Sequence, residues 1–389
     1  NVDMAVIQLD ANGQMIDRAN VILSRDYPNG LIVPLDSDSG ANSVRFRRWD
    51  MARFDGGTYS SKSGSQTSTK GWTNNPALTD ADDIVPGRQS APYQFMSPYP
   101  ASSFKLLIGF KIMRMVDAGT ITLDTLYTYS PDGKKGTTRK VRDWMEPMIT
   151  YSDNDSARAM IKLIHSYGQM VAMHQEFRDL GLPTLQVNGT STTTGGNWVV
   201  GQIHMTAYDT ARLLWIIEGG SGTFWTGANG QPVTAAVLSS SSRTYLKGLL
   251  NDQGFNDTLT TANMCGNPNA RAGIPSSVPV RWIDPIRGTV TVDGYAYGMD
   301  VRPCNASAEV GFAHKTGFTF NYCSDVGIVN SLPGQPFRRY IIVYLSNLGY
   351  RYADESFATA TKLPYYDTNP VPYTQRAAEV GREIDSFLK

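Results

Sequence analysis

Ser102 and Lys105 stand three apart in the run Ser102-Ser103-Phe104-Lys105. On a helix, residues at that spacing share one face, so the amine of Lys105 can reach the hydroxyl of Ser102. A serine hydroxyl is a weak nucleophile until a base takes its proton. A lysine serves as that base only where burial and a second positive charge weaken its hold on its own proton. Both conditions are legible here. Apolar residues stand on either side of Lys105, and Lys315-Thr316-Gly317 brings a second lysine. The rival register, with Ser103 as nucleophile, fails because Leu106 stands where its lysine would be needed. Ser152-Asp153-Asn154 adds a further hydroxyl and an amide just before a helical stretch.

Lys315-Thr316-Gly317 falls on a predicted strand. Alternation puts Lys315 and Gly317 on one face and Thr316 on the other. Lys315 can draw a substrate carboxylate as a point charge, and Gly317 lets another group approach the backbone closely.

These three motifs in this order resemble the serine β-lactamase and penicillin-binding protein superfamily. The resemblance implies a covalent acyl-serine intermediate. It implies catalytic roles for Ser102, Lys105, Ser152 and Lys315, with Ser152 relaying a proton to the leaving group. Substrate contacts are implied for Asn154, Thr316, Gly317 and Phe318. The backbone N–H groups of Ser102 and Phe318 are the implied oxyanion hole. Phe318 is bulkier than the small residue common there and is expected to narrow the cleft or shield an apolar group. One family feature is missing. Class A β-lactamases carry a glutamate that activates the water clearing the acyl-enzyme. The corresponding loop, about Leu182 to Met205, holds no Glu or Asp; Glu176 lies upstream within a helix and Glu218 downstream of one. The substrate is therefore left among a β-lactam, a D-Ala-D-Ala-like peptide and a small ester or amide. The alternative is a module that stays acylated and only binds or senses.

The elements that must carry these residues follow from apolar spacing. Ala5 to Asp17 reads as a hairpin about Asn12-Gly13. Ser24 to Ser90 is rich in Ser, Thr, Gly, Asn and Asp, with Tyr59 to Asn75 close to low complexity, and reads as an inserted surface loop. Pro98 to Gly119 is a helix apolar on most faces, hence buried and central. Val141 to Ile149, Ser156 to His165, Met170 to Leu180, Thr206 to Ile217 and Leu238 to Asn251 read as further helices, the second capped by Asn154 or Asp155. Strands are expected at Val278 to Trp282, Gly288 to Val292, Ala296 to Val301, Val310 to His314, Tyr322 to Asn330 and Arg338 to Ser346. A last helix, Pro370 to Lys389, would bury Ala377, Val380, Ile384 and Phe387. Strands at both ends and helices between predict an α+β fold: an antiparallel sheet built from both chain ends, flanked by terminal helices, with an inserted helical lobe. The lobes are expected at 1–100 plus 270–389 for the sheet, with 24–90 as the insertion, and at 101–269 for the helices.

Composition narrows the partners. With 35 basic and 35 acidic residues the net charge is zero, which gives no basic face for nucleic acid. No apolar run approaches the ~18 residues of a membrane span. His165, His174, His204 and His314 lack metal spacing, so no metal or cofactor is expected. The expected partner is a small molecule or peptide bearing a carboxylate, and a monomer suffices to bind it. Cys265 and Cys304 lie in loop-like sequence and suit one bridge, with Cys323 left over; three separate thiols fit the sequence as well. No cleavable leader is visible at Asn1, and a secreted or periplasmic location is expected from the family's habit.

Overall fold

The computed structural model describes residues 1–49, 79–131, 135–319, 322–349 and 373–389, apart from positions 25, 37, 39 and 269. The low-complexity stretch Tyr59 to Asn75 lies outside the described residues. From the N-terminal side come strands β1 (Val2–Leu9), β2 (Met15–Leu23) and β3 (Leu31–Ile32). From the C-terminal side come β4 (Val310–Phe318), β5 (Cys323–Ser331) and β6 (Arg339–Ser346). They form one antiparallel sheet in the order β4-β5-β6-β1-β2-β3, so the two ends of the chain meet where β6 pairs with β1. The hairpin between β1 and β2 turns at Gly13, whose φ is +77°, and a Cβ there would lie 2.6 Å from the carbonyl oxygen of Gly219. Only glycine fits both the backbone angle and the space.

Between β3 and β4 lie α1 (Lys105–Asp117), α2 (Val141–Thr150), α3 (Asn154–Ser166), α4 (Gln169–Asp179), α5 (Ala207–Glu218), α6 (Ser240–Asn251) and a short α7 (Arg302–Ala306); α8 (Tyr373–Leu388) closes the chain. The sheet is covered on both faces. Ala5, Ile7, Leu9, Ile341, Val343 and Leu345 pack into the main core with the helices. Tyr340, Ile342 and Tyr344 pack on the other side in a cluster that includes Ala377 of α8. Two covered faces explain why Ile341 to Leu345 is an unbroken apolar run. Leu106, Leu107, Ile108, Phe110 and Ile112 of α1 are all 0% exposed. Each such burial contributes about 1.5–3 kcal/mol relative to exposure, so α1 is a rigid mount for whatever stands at its start. None of the described helices is long and apolar enough to cross a membrane.

Three expectations are corrected. The stretch Ser24 to Ser90 is not all loop: Val44–Arg47 pairs in parallel with Tyr93–Met96, and Val33, Ala41, Val44, Phe46, Ile84 and Phe95 form a small core. The pairing partner lies beyond the stretch itself, so local composition cannot reveal it. Val278 to Val301 does not form three strands. Val280–Trp282 is a single 3₁₀ turn, Thr291–Val292 pairs with Tyr295–Ala296, and Ile283 and Val290 make one isolated bridge. These residues instead fold around Ala262, Met264, Val278, Val290, Val292 and Val301, stapled by the Cys265–Cys304 disulfide. Cys323 is a buried thiol. In α8, Phe387 is 89% exposed, and the inward position goes to Asp385. Asp385 holds the Arg338 guanidinium at 2.7 and 2.8 Å and accepts the Tyr340 hydroxyl at 2.9 Å. A charge is tolerated inside when it is paired and hydrogen-bonded.

Candidate active site

Ser102 sits in a 3₁₀ turn, Ala101–Phe104, that leads directly into α1. The residue before it, Ala101, has φ +46°. Left-handed backbone at a side-chain-bearing residue costs about 1–3 kcal/mol and is held only by surrounding contacts. The holding contacts are visible. Ser103 is buried; its hydroxyl donates to the Lys315 carbonyl at 3.1 Å and lies 2.8 Å from Ser324 Oγ. Ser324 Oγ in turn donates to the Pro100 carbonyl at 2.6 Å. The discarded rival nucleophile is thus the clamp that fixes the turn to the sheet.

Gly317 has a second reason to be glycine. A Cβ there would lie 2.5 Å from the Pro100 oxygen and 2.7 Å from the Ser103 nitrogen. It is the protein's own serine turn, rather than only a ligand, that approaches the strand at this point.

The Ser152 turn joins the two lysines. Lys105 is 0% exposed, and its Nζ donates to the Ser152 carbonyl and, at 2.8 Å, to Asn154 Oδ1. Lys315, equally buried, donates from Nζ to Ser152 Oγ and, at 2.8 Å, to the Thr316 carbonyl. Ser152 adopts φ +68° and offers its carbonyl to one lysine and its hydroxyl to the other. The helix cap is Asp153, not Asn154 or Asp155: its carboxylate accepts the Ser156 N–H at 2.7 Å. That leaves the Asn154 amide for Lys105. Burial and then the Lys315 charge push Lys105 well below the ordinary lysine range; Asp153 opposes and Arg158 assists. Burial lowers Lys315 to about 7, against the pull of Asp325. A neutral amine has two N–H donors and one lone pair. The two acceptors around Lys105 match the two donors and leave the lone pair for a proton. No hydrogen bond joins Lys105 to Ser102 among the described residues; the pair shares a face of the turn, and the amine is held by the Ser152 loop instead.

β4 is an edge strand. Thr319 N–H donates to the Tyr322 carbonyl across the hairpin at 2.9 Å. Antiparallel ladders alternate inward and outward groups, so the Phe318 N–H points away from β5, toward the side where the serine turn lies. The Phe318 ring packs against the cluster beneath α8 rather than narrowing the cleft. Thr316 is buried on the face opposite Lys315 and meets it through its carbonyl.

The motifs of three distant segments therefore meet around Ser152. The family model for the beta-lactamase enzyme family matches residues 96–365. The chain belongs to that family. Among solved structures, a PBP-A mutant captured as its acyl-enzyme with penicillin G is 19% identical, covering 74% of this chain and 80% of its own, with a TM-score of 0.44. A β-lactamase from Chitinophaga pinensis is 17% identical, over 75% of this chain and 86% of that one, with a TM-score of 0.44. An ancestral class A β-lactamase is 16% identical, over 74% and 83%, with a TM-score of 0.41. No curated protein matches the sequence. At the level of the beta-lactamase family the chemistry is serine acyl transfer with hydrolysis.

Within this beta-lactamase fold, one residue that the sequence did not single out closes the site. Trp198, from the loop without Glu or Asp, places its ring 5.6 Å from Lys105 Nζ. It packs edge-on to Phe104 at 5.2 Å, and Arg158 lies over it at 5.1 Å. Its indole N–H is committed to the Gly195 carbonyl at 3.1 Å. The loop can fold back this tightly because a Cβ at Gly195, where φ is +69°, would collide with the Arg158 carbonyl of α3. The only linear signal was a lone large aromatic in a polar loop. Glu176 is engaged elsewhere, with Arg114 and Lys111. Glu218 holds Lys247 and Arg339. Arg271 pairs with Glu379 at 3.4 Å. His165 bonds to Thr190, His174 Nε2 accepts the Val187 N–H at 3.0 Å and His204 lies buried, and no cluster among the described residues could hold a metal.

Proposed function

We propose that the protein is a serine acyl-transfer enzyme that opens an amide, β-lactam or ester carbonyl through an adduct on Ser102 and empties that adduct slowly. The observation that carries this reading is the convergence at Ser152: two buried lysines on its two oxygens, one of them with its hold on its proton weakened by burial and by the other's charge. Lys105 accepts the Ser102 proton as the hydroxyl attacks. The Ser102 and Phe318 N–H groups receive the developing oxyanion. The proton that Lys105 took from Ser102 returns through the Ser152 hydroxyl, hydrogen-bonded to Lys315, to the leaving nitrogen or oxygen. Lys315 draws the substrate carboxylate, and Asn154 holds both Lys105 and a substrate amide. The Cys265–Cys304 bridge supports a place in an oxidising compartment, outside the cytoplasm. The test is mass spectrometry of the protein mixed with a penicillin. An adduct of one penicillin per chain is expected on the native protein and none on Ser102→Ala; an adduct of equal yield on the variant overturns the assignment.

A second reading, a module that remains acylated, is favoured by Trp198. Its apolar ring lies 5.6 Å from Lys105 Nζ, in the loop that holds no Glu or Asp, and its one polar atom is already bonded. Excluding water protects an acyl intermediate from hydrolysis. Trp198→Ala is expected to shorten the lifetime of a preformed penicillin adduct about tenfold, equivalent to ~1.4 kcal/mol in the barrier. An unchanged lifetime removes Trp198 from this role. Accumulation of penicilloate over many turnovers by the native protein would exclude the sequestering module.

A further inference from the structure

We propose that Gln253 is a positioning residue of the acyl-transfer site: its one side-chain amide ties the end of α2, just ahead of the Ser152 turn, to β4 just ahead of Lys315, and so sets how the Ser152 hydroxyl meets Lys315. Gln253 touches no reacting atom. What it does for turnover rests on the proton relay given to Ser152 above.

Gln253 follows closely on α6 and is 0% exposed. Its Nε2 donates to the Ile149 carbonyl at 3.1 Å and, at the longer distance of 3.4 Å, to the His314 carbonyl. Its Oε1 accepts the Phe255 N–H at 3.1 Å. Turning the amide over would set its oxygen against two carbonyl oxygens and its NH₂ against an N–H, so the orientation is fixed. Both donors are thereby spent on the two segments that carry site residues. Each carbonyl is one that secondary structure leaves over. The last carbonyls of a helix have no partner inside it. At the end of α2 the Ile149 carbonyl takes Gln253, and the Thr150 carbonyl takes the Gly254 N–H at 2.7 Å. Ser152 comes two residues later. On the edge strand β4, groups alternate inward and outward; counted by twos from the Phe318 N–H, the His314 carbonyl also points outward. A neighbouring strand would go on to pair Thr316 and Phe318 as well. A side-chain amide stops at one carbonyl.

The amide is itself held in place, because the backbone on either side of it is pinned. The Trp282 indole N–H donates to the Asp252 carbonyl at 2.9 Å, and Asn263 Nδ2 donates to the Gly254 carbonyl at 2.7 Å. A Cβ on Gly254 would lie 2.6 Å from Val292 Cγ1. Trp282 also meets Tyr151 edge-on, with centroids 5.9 Å apart. Trp282 and Val292 belong to the unit stapled by Cys265–Cys304. That unit therefore buttresses the end of α2 and β4 together, and Ser152, whose hydroxyl accepts from Lys315 Nζ, stands between them. The chemistry supplies a way to read this placement. A lactam or amide nitrogen needs a proton as its bond to the acyl carbon breaks, and a positioned donor provides it. An aryl thioester expels its thiolate without one. Loss of the Ser152 placement separates the two substrates, whereas a general loosening of the fold slows both.

The test compares acylation rates at saturation for a penicillin and for a carboxylate-bearing aryl thioester, so that affinity drops out. Gln253→Met keeps the length and removes the donors. It is expected to slow penicillin acylation by about 10²-fold, the scale of a misplacement of roughly 1 Å, and to leave the thioester near the native rate. Ser152→Ala should show the same split. Gln253→Glu keeps the Phe255 bond but turns a carboxylate toward the two carbonyls; it should reproduce the split and stands in if the methionine variant fails to fold. Equal slowing of both substrates, or no slowing, overturns the positioning role. A Ser152→Ala protein without the split sinks the relay, and a wild-type protein that takes neither substrate sinks the reading of Ser102. In either case a crystal structure of the Gln253 variant decides: a broken Ser152–Lys315 contact upholds the proposal, and an unchanged one overturns it.

Discussion

Lys105→Ala is expected to slow acylation of Ser102 by about 10³-fold, within the range ascribed to a positioned general base. The fold should survive, because the adjoining residues of α1 provide the apolar anchorage. A penicillin adduct should still form, slowly, which separates this variant from Ser102→Ala. The pH profile carries more information. Burial and then the Lys315 charge hold Lys105 well below the ordinary lysine range, so the rate is expected to fall on the acid side as it regains its proton. Lys315 is lowered to about 7, so its charge is present below that value and lost above it. For a carboxylate-bearing substrate, apparent affinity should therefore weaken as pH rises through about 7, while an uncharged ester should show no such limb. The check is the second-order acylation rate across pH for a penicillin and for a neutral ester. A free-amine Lys105 seen only above pH 9, or an alkaline limb shared by both substrates, would contradict the assignment of the two lysines.

Gly317→Ala should cost about 10²-fold in acylation, the scale of a misplacement of roughly 1 Å at a reacting group. The added methyl would meet the Pro100 oxygen and the Ser103 nitrogen at 2.5 and 2.7 Å, and these are backbone atoms that cannot swing aside. The serine turn must then lift from β4, breaking the Ser103–Lys315 and Ser324–Pro100 bonds and moving Ser102 away from the Phe318 N–H. Overpacking of this kind also destabilises by about 1–3 kcal/mol. Urea unfolding and acylation measured together decide the matter. If the glycine served only to admit substrate, stability would hold and only affinity would fall.

Much of this was written in the chain. The triad of motifs, their order, the buried helix behind Ser102 and the sheet assembled from both ends follow from local residue types and periodicity, because such signals need no knowledge of distant partners. The apolar run of β6 announced a strand covered on both faces. The tertiary structure alone decided who faces whom. It gave Ser103 to the clamp and Asp153 to the helix cap, and it turned Asp385 inward and Phe387 outward because Arg338 waited to pair with the carboxylate. It made Trp198, in a loop whose sequence advertised only what it lacked, the cover of Lys105. It also set His314 between Asp325 and Asn256, residues 11 and 58 positions away along the chain. Proximity between far-separated residues is a property of the packed fold. Periodicity can place a side chain on a face, but only packing chooses the atoms that meet it.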